Sequence, residues 1–149
     1  MSLLSLFKKP QQKPKPAPPI AELNEWSVLF QSRNLFIYNR YGGNLPDNEG
    51  EYLYFKSYPE ADFLNNKLFT NWYFLAFNGI FLQQITDGNA STRSLVFVSF
   101  DTFEGATVKT NIVAKSWEAR VINGYETEFI FNGGTTDVFR LKQNEISYL

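Results

Sequence analysis

Apolar and polar residues alternate along most of the chain, and short turn motifs separate the alternating runs. Between 107 and 115, Val108 and Ile112 fall on one side of an extended segment, and Lys109 and Lys115 on the other. This period of two predicts a half-buried β-strand. Aromatic and β-branched runs predict further strands. The predicted strands span 26–31, 34–41, 51–58, 72–77, 80–85, 94–100, 107–115, 117–122, 125–131 and 136–142.

The turns predict that consecutive strands form hairpins. Asn78-Gly79 fits a type I′ turn, in which both central residues need positive φ. The pairs expected from a two-residue loop there are Phe77 with Ile80, Ala76 with Phe81 and Leu75 with Leu82. Similar punctuation recurs at Asp87-Gly88-Asn89, Asn123-Gly124 and Asn132-Gly133-Gly134. Successive hairpins of this kind build an antiparallel meander.

Short strands joined by tight turns indicate an all-β fold, either a sandwich or a partly closed barrel. The pattern does not separate these two architectures. Two short helices are also predicted. One covers 59–69, where Pro59 precedes the acids Glu60 and Asp62, and the other covers 20–25. Residues 20–149 are long enough for a single domain with its own core.

Residues 1–19 differ from the rest and are predicted to form an extended arm. Residues 1–7 are an apolar tip, and the prolines of 10–19 favour polyproline II, which would reach about 30 Å. A tip on a spacer suits docking on another subunit, although a terminus that only aids solubility is the alternative. The residues expected to touch a partner are Leu3, Leu4, Leu6, Phe7, Lys8 and Lys9.

Charge divides the chain at the same place. The first 20 residues hold four lysines and no acid, whereas the other 129 hold ten Lys or Arg against fifteen Asp or Glu. An acidic domain disfavours nucleic acid as a partner, because phosphate contacts need concentrated positive charge. The apolar tip is too short for a membrane anchor or an export signal, so we expect a cytoplasmic or particle-associated protein.

The residue types restrict the chemistry available. The chain has no His and no Cys, which removes histidine bases, thiolate nucleophiles and the usual zinc ligands. Asp47, Glu49 and Glu51 lack the full calcium-loop pattern and read as a solvated turn. We therefore expect no catalytic residues, no metal and no cofactor.

Carboxylate pairs give no catalytic signal either, since no spacing selects an acid and a base. Glu126 and Glu128 share one side of a predicted strand. Lys or Arg from a neighbouring strand would offset their repulsion there.

Aromatic residues supply the remaining candidate site, with 15 Phe, 8 Tyr and 3 Trp in the chain. Alternation and pairing across the 42–50 turn would bring four side chains to one face, bordered by Lys56. They are Tyr38, Arg40, Tyr52 and Tyr54. Such a platform suits a partner protein, a sugar or a base. The simpler interpretation is that large rings fill a core.

Taken together, these features favour a non-enzymatic structural or assembly protein whose arm docks on like or unlike subunits of a larger, virion-like particle. We therefore expect the protein to be an oligomer or a component of a larger assembly. One alternative is a barrel that binds a small ligand between the rings of 72–85 and 95–100. Another is an inhibitor or immunity-type protein, steered by charge onto a basic enzyme.

Overall fold

The computed structural model describes residues 25–46, 50–86 and 91–146. Ten strands account for most of them, which confirms the all-β prediction. Their bounds are β1 Ser27–Gln31, β2 Phe36–Asn44, β3 Glu51–Tyr58, β4 Leu68–Ala76, β5 Gly79–Ile85, β6 Arg93–Ser99, β7 Gly105–Ile112, β8 Ser116–Asn123, β9 Glu126–Gly133 and β10 Thr135–Lys142. Sequential antiparallel pairing joins β1 through β7 into a large sheet and β8 through β10 into a small one.

The centre of the large sheet, β5 and β6, is buried on both sides, so the sheet serves two cores. In β6, Val96 and Val98 point into one core, and Leu95 and Phe97 point into the other. All four side chains have no exposed surface. Burial on both faces explains why this stretch reads as a continuous apolar run and does not alternate.

The first core lies inside a curl of the large sheet. It combines inward side chains of β2 through β6. The ring of Phe30 in β1 stacks on Phe100, just after β6, at a centroid distance of 5.5 Å. The first strand therefore curves round to the far end of its own sheet, giving the partly closed barrel form.

The second core lies between the outside of this curl and the small sheet. Phe81 of β5 meets Phe129 of β9 at 4.9 Å, edge to face. Trp117 of β8 meets Phe131 at 5.0 Å. This half of the molecule is a sandwich, so the two predicted architectures coexist around one shared sheet.

The β4–β5 hairpin corrects the predicted register. Ala76 pairs with Gly79 and Leu75 with Ile80, so each partner lies two positions before the expected one. The two loop residues are Phe77 and Asn78, with φ of 57° and 53°. The type I′ turn was right, but its centre was misplaced by one residue.

Packing explains the shift. A Cβ atom on Gly79 would lie 2.2 Å from Cζ of Phe97 and 2.5 Å from the carbonyl oxygen of Val98. The glycine is needed where β5 crosses the buried ring, not where the turn needs positive φ.

The helix predicted over 59–69 is reduced to one 3-10 turn at Asp62–Leu64. The Ser57 hydroxyl accepts a hydrogen bond from the Ala61 amide at 2.8 Å, and Asn66 adopts a φ of 61°. These features redirect the backbone before a second turn can form. A further 3-10 turn covers Gln143–Glu145. Most of 20–25 and all of the arm lie outside the described residues.

Candidate functional site

Strands β2 and β3 of the large sheet, with Trp26 just before β1, carry a cationic and aromatic cluster on the side away from the first core. The register opposes Arg40 of β2 to Tyr54 of β3. The guanidinium carbon of Arg40 lies 5.0 Å from the Tyr54 ring centre and 5.4 Å from that of Trp26. The ammonium of Lys56 lies 5.3 Å from the same Trp26 ring. One arginine is thus held between two rings, an arrangement favoured by the negative faces of the rings.

Polar contacts and glycine packing fix this cluster. Arg40 Nη1 lies 3.5 Å from a carboxylate oxygen of Glu25. The Tyr52 ring lies across Gly43, where a Cβ would come within 2.5 Å of the phenol oxygen. Tyr52 and Tyr54 meet edge to face at 6.5 Å and are both half-buried. We call Trp26, Arg40, Tyr52, Tyr54 and Lys56 the aromatic cluster.

Tyr38 does not belong to the accessible part of this cluster. Its side chain is 2% exposed and stacks on Phe36 at 6.2 Å. Burial raises the pKa of the Tyr38 phenol above its ordinary value. The predicted four-residue platform is corrected to Arg40, Tyr52 and Tyr54, and their contact with a partner stays a prediction.

Trp26 is the member of the cluster that sequence reasoning missed. It precedes β1, and the β1–β2 register places Ser27 opposite Asn39, so Trp26 comes next to Arg40. The available signal was alternation: Trp26 and Val28 lie on the same side of the chain, and Val28 pairs with Tyr38, which shares a face with Arg40.

A cleft of about 600 Å³ opens where β4 runs past the start of β3 and approaches the small sheet. This volume lies within the range of small-molecule pockets. Its lining includes Glu51, Thr70, Trp72, Gln83, Arg93 and Trp117. The rings of Trp72 and Trp117 meet edge to face at 5.2 Å, and the Trp72 indole donates to the Trp117 carbonyl at 3.1 Å.

Arg93 gives the cleft a buried cation. Its Nη1 donates to the Gln83 side-chain oxygen at 2.7 Å, and both side chains are buried. Sequence reasoning missed Arg93 as a site residue. Arg93 lies on the same face of β6 as Leu95 and Phe97, and this charged residue at the start of an apolar face was the available signal. By contrast, Phe81 and Phe97 are packed into the second core with no exposed surface. Of the rings proposed to surround a ligand, these two fill the second core, whereas Trp72 lines the cleft.

Glu128 lies between two arginines on the outward face of the small sheet. Arg120 Nε donates to Oε1 at 2.6 Å, and Arg140 Nε donates to Oε2 at 3.4 Å. The two arginines cover the carboxylate, which is 4% exposed. The Arg120 hydrogen bond, joined by the positive charge of both arginines, holds the pKa of Glu128 below its usual value. Cations from both neighbouring strands offset the carboxylate, as the alternation predicted.

Exposed apolar side chains concentrate at the end of the β8–β9 hairpin. Val121, Ile122 and Tyr125 are 54%, 40% and 64% exposed. We call these three residues the hairpin tip. Several exposed apolar side chains at the end of one hairpin mark an interaction surface more often than a single scattered apolar residue does.

The predicted contact residues of the arm, Leu3 through Lys9, lie outside the described part of the chain. Within the described ranges, no group of three His, Cys, Asp or Glu side chains could hold a metal ion. The same ranges contain no helix of a length and apolarity that would cross a membrane. The chain matches no protein-family model, no curated protein and no solved structure.

Proposed function

We propose that this chain is a non-enzymatic structural or assembly protein whose N-terminal arm docks on neighbouring subunits of a larger complex. The observation that carries this proposal is the exposed apolar surface of the domain. The hairpin tip contributes three such side chains, and Tyr73 and Leu75 of β4 contribute two more. Surfaces of this composition are stabilised when another protein covers them.

The distribution of charge supports the same function. The arm carries four lysines, and the remainder of the chain has five more acidic than basic residues. Opposite charges on arm and domain favour arm-to-domain contact and disfavour contact between two domains. The apolar tip then supplies most of the binding free energy, because burying leucine and phenylalanine side chains contributes about 1.5–3 kcal/mol each.

Native mass spectrometry of the whole chain tests this proposal. We expect oligomers for the full-length protein and monomers for a variant with Leu3, Leu4, Leu6 and Phe7 all changed to Ser. Deleting residues 1–19 should have the same effect. The matched control changes Lys13 and Lys15 to Ser, which leaves the tip intact and should preserve the oligomers. Circular dichroism would verify that all variants keep the β fold.

If the tip variant and the chain lacking residues 1–19 show the same oligomers as the full-length protein, the arm does not direct assembly. The proposed function would then be rejected.

The cleft beside Trp72 supports a second candidate, binding of a small polar ligand. Its walls combine two indole rings with the Arg93 and Gln83 side chains, the mixture of apolar walls and few polar groups found in ligand sites. The same spectra decide between the two candidates. A monomer that retains an added mass of a few hundred daltons would favour the ligand site over assembly.

A further inference from the structure

Several strand edges lack a hydrogen-bonded neighbour among the described residues. Four belong to the terminal strands of the two sheets, β1, β7, β8 and β10. Residues 40–44 of β2 and 55–58 of β3 are also unpaired on one side, and they carry Arg40 and Lys56. The remaining edge is the second half of β4. This strand pairs with β3 only through Phe69 with Leu53 and Leu68 with Tyr54. From Trp72 onward it runs beyond the start of β3 and pairs only with β5.

Charge distinguishes these edges. Edge strands usually carry charged residues that prevent pairing with another chain. Lys109 occupies β7, Glu118 and Arg120 occupy β8, and Asp137 and Arg140 occupy β10. Neither β1 nor the Trp72–Ala76 half of β4 contains a charged residue. These two edges are therefore the ones open to an added strand.

The two uncharged edges lie next to each other. Phe30 of β1 meets Tyr73 of β4 edge to face at 5.7 Å and stacks on Phe100. Tyr73 and Leu75 are 39% and 44% exposed, so the apolar surface stays open toward solvent. We call the surface formed by Phe30, Tyr73, Leu75 and Phe100 the seam.

We infer that the seam accepts residues 2–7 from the arm of a second copy, added as a strand along the free edge of β4. This inference rests on the proposed function and specifies where the arm binds. Five residues of edge span about 17 Å, and six residues of tip span about 20 Å when extended. The tip is also uncharged, which matches an uncharged edge. Backbone hydrogen bonds would give affinity, and Leu3, Leu4, Leu6 and Phe7 would cover the seam.

Charge and reach determine the rest of the arrangement. Lys8 and Lys9 follow the tip, and Asp101 and Glu104 are exposed in the turn after Phe100. Opposite charges therefore lie close to where the tip would end. The proline-rich spacer of about 30 Å is long enough to cross from one domain to the next.

Cysteine pairing between two copies tests this inference directly, because the natural chain has no cysteine. One copy carries Leu4→Cys or Leu6→Cys, and a second, enlarged by an affinity tag, carries Leu75→Cys. Strand addition brings one tip position within disulfide distance, which requires Cα atoms about 4.4–6.8 Å apart. We expect a mixed dimer on a non-reducing gel. The control is Val138→Cys, an apolar position on the charged β10 edge that is even more exposed than Leu75, which should give none.

A charge placed on the edge gives an independent measurement. Leu75→Lys should shift the full-length protein from oligomer to monomer in native mass spectrometry, whereas Val138→Lys should leave the oligomer unchanged.

Three results would overturn the inference. The first is equal linking of the tip to Leu75→Cys and Val138→Cys. The second is a disulfide that forms only when both cysteines are in one chain, which would place the arm on its own domain. The third is no link at Leu75→Cys although the tip variant abolishes assembly. In that last case the arm docks elsewhere, and the proposed function still holds.

Discussion

At the scale of single residues, Glu128 shows how pairing makes a buried charge tolerable. An isolated buried carboxylate would be costly, because it loses its hydration. Two arginines from the adjacent strands replace the water, each with a hydrogen bond to a different oxygen. These two ion pairs therefore stabilise the small sheet only while Glu128 is ionised.

This residue has a testable pH dependence. Because the folded-state pKa of Glu128 lies below its unfolded value, its contribution to stability is present above the unfolded pKa of about 4.3. The contribution disappears as pH falls through the folded-state pKa. We expect Glu128→Gln to lower the melting temperature at pH 7, and we expect its effect to become smaller as the pH is lowered to 3 and below.

The control for this measurement is Glu126→Gln on the same strand, for which no ion pair is formed with the described residues. Its effect on the melting temperature should be small at both pH values. An effect of Glu128→Gln that is the same at pH 7 and pH 3 would show that the ion pairs do not stabilise the fold.

The aromatic cluster also illustrates what single residues reveal. The sequence pattern correctly placed Arg40 on the same face as Tyr54, because two-residue alternation fixes which side chains share a face. It did not show that Tyr38, on the same face, would be 2% exposed. Accessibility depends on what lies above the sheet, and alternation carries no information about that.

At the scale of elements, the β4–β5 hairpin contains a glycine, Gly79, that is required by the packing of a neighbouring side chain and not by the turn. Asn78-Gly79 favours a turn centred on those two residues, yet the loop forms at Phe77-Asn78. Ile80 and Leu82 face the first core and Phe81 faces the second in either register, because a shift of two positions keeps each side chain on its own face. The close approach of Gly79 to the Phe97 ring therefore outweighs the local preference of the turn.

Replacing Gly79 tests this explanation. Gly79→Ala would drive a methyl group into the buried Phe97 ring and the Val98 backbone. Overpacking of this kind costs about 1–3 kcal/mol, so the midpoint of denaturant unfolding should fall. Gly124→Ala in the β8–β9 turn is the matched control, since no atom lies within 4 Å of the added Cβ. If both substitutions had the same small effect, the close approach to Phe97 would not explain the register.

At the scale of the whole molecule, the shared sheet joins the two cores. Val96 and Phe97 are adjacent in β6 but belong to different cores. Loss of either core would expose one face of the same strands. We therefore expect the curled sheet and the small sheet to unfold in one transition.

The three tryptophans can distinguish the two halves. Trp26 lies on the outside of β1 to β3, and Trp72 and Trp117 lie between the sheets. In a Trp26→Phe variant, fluorescence follows the second core, and in a Trp72→Phe, Trp117→Phe variant it follows the first half. In each protein the fluorescence transition in guanidinium should coincide with the circular dichroism transition. A fluorescence midpoint clearly below the circular dichroism midpoint in either variant would show that the halves unfold separately.

The pattern along the chain was sufficient to predict the ten strands and their order, because alternation and turn residues act over a few neighbouring positions. It placed β3 at Glu51–Tyr58 with the bounds seen in the structure, but it began β4 at 72 instead of Leu68 and ended β7 at 115 instead of Ile112. It also excluded histidine and cysteine chemistry. The tertiary structure decided the hairpin register, the burial of Tyr38 and the cleft beside Arg93. It also brought Phe30 to Tyr73 and so created the seam. Each of these depends on contacts between residues far apart in the chain, and local pattern cannot encode which distant side chain will fill a space.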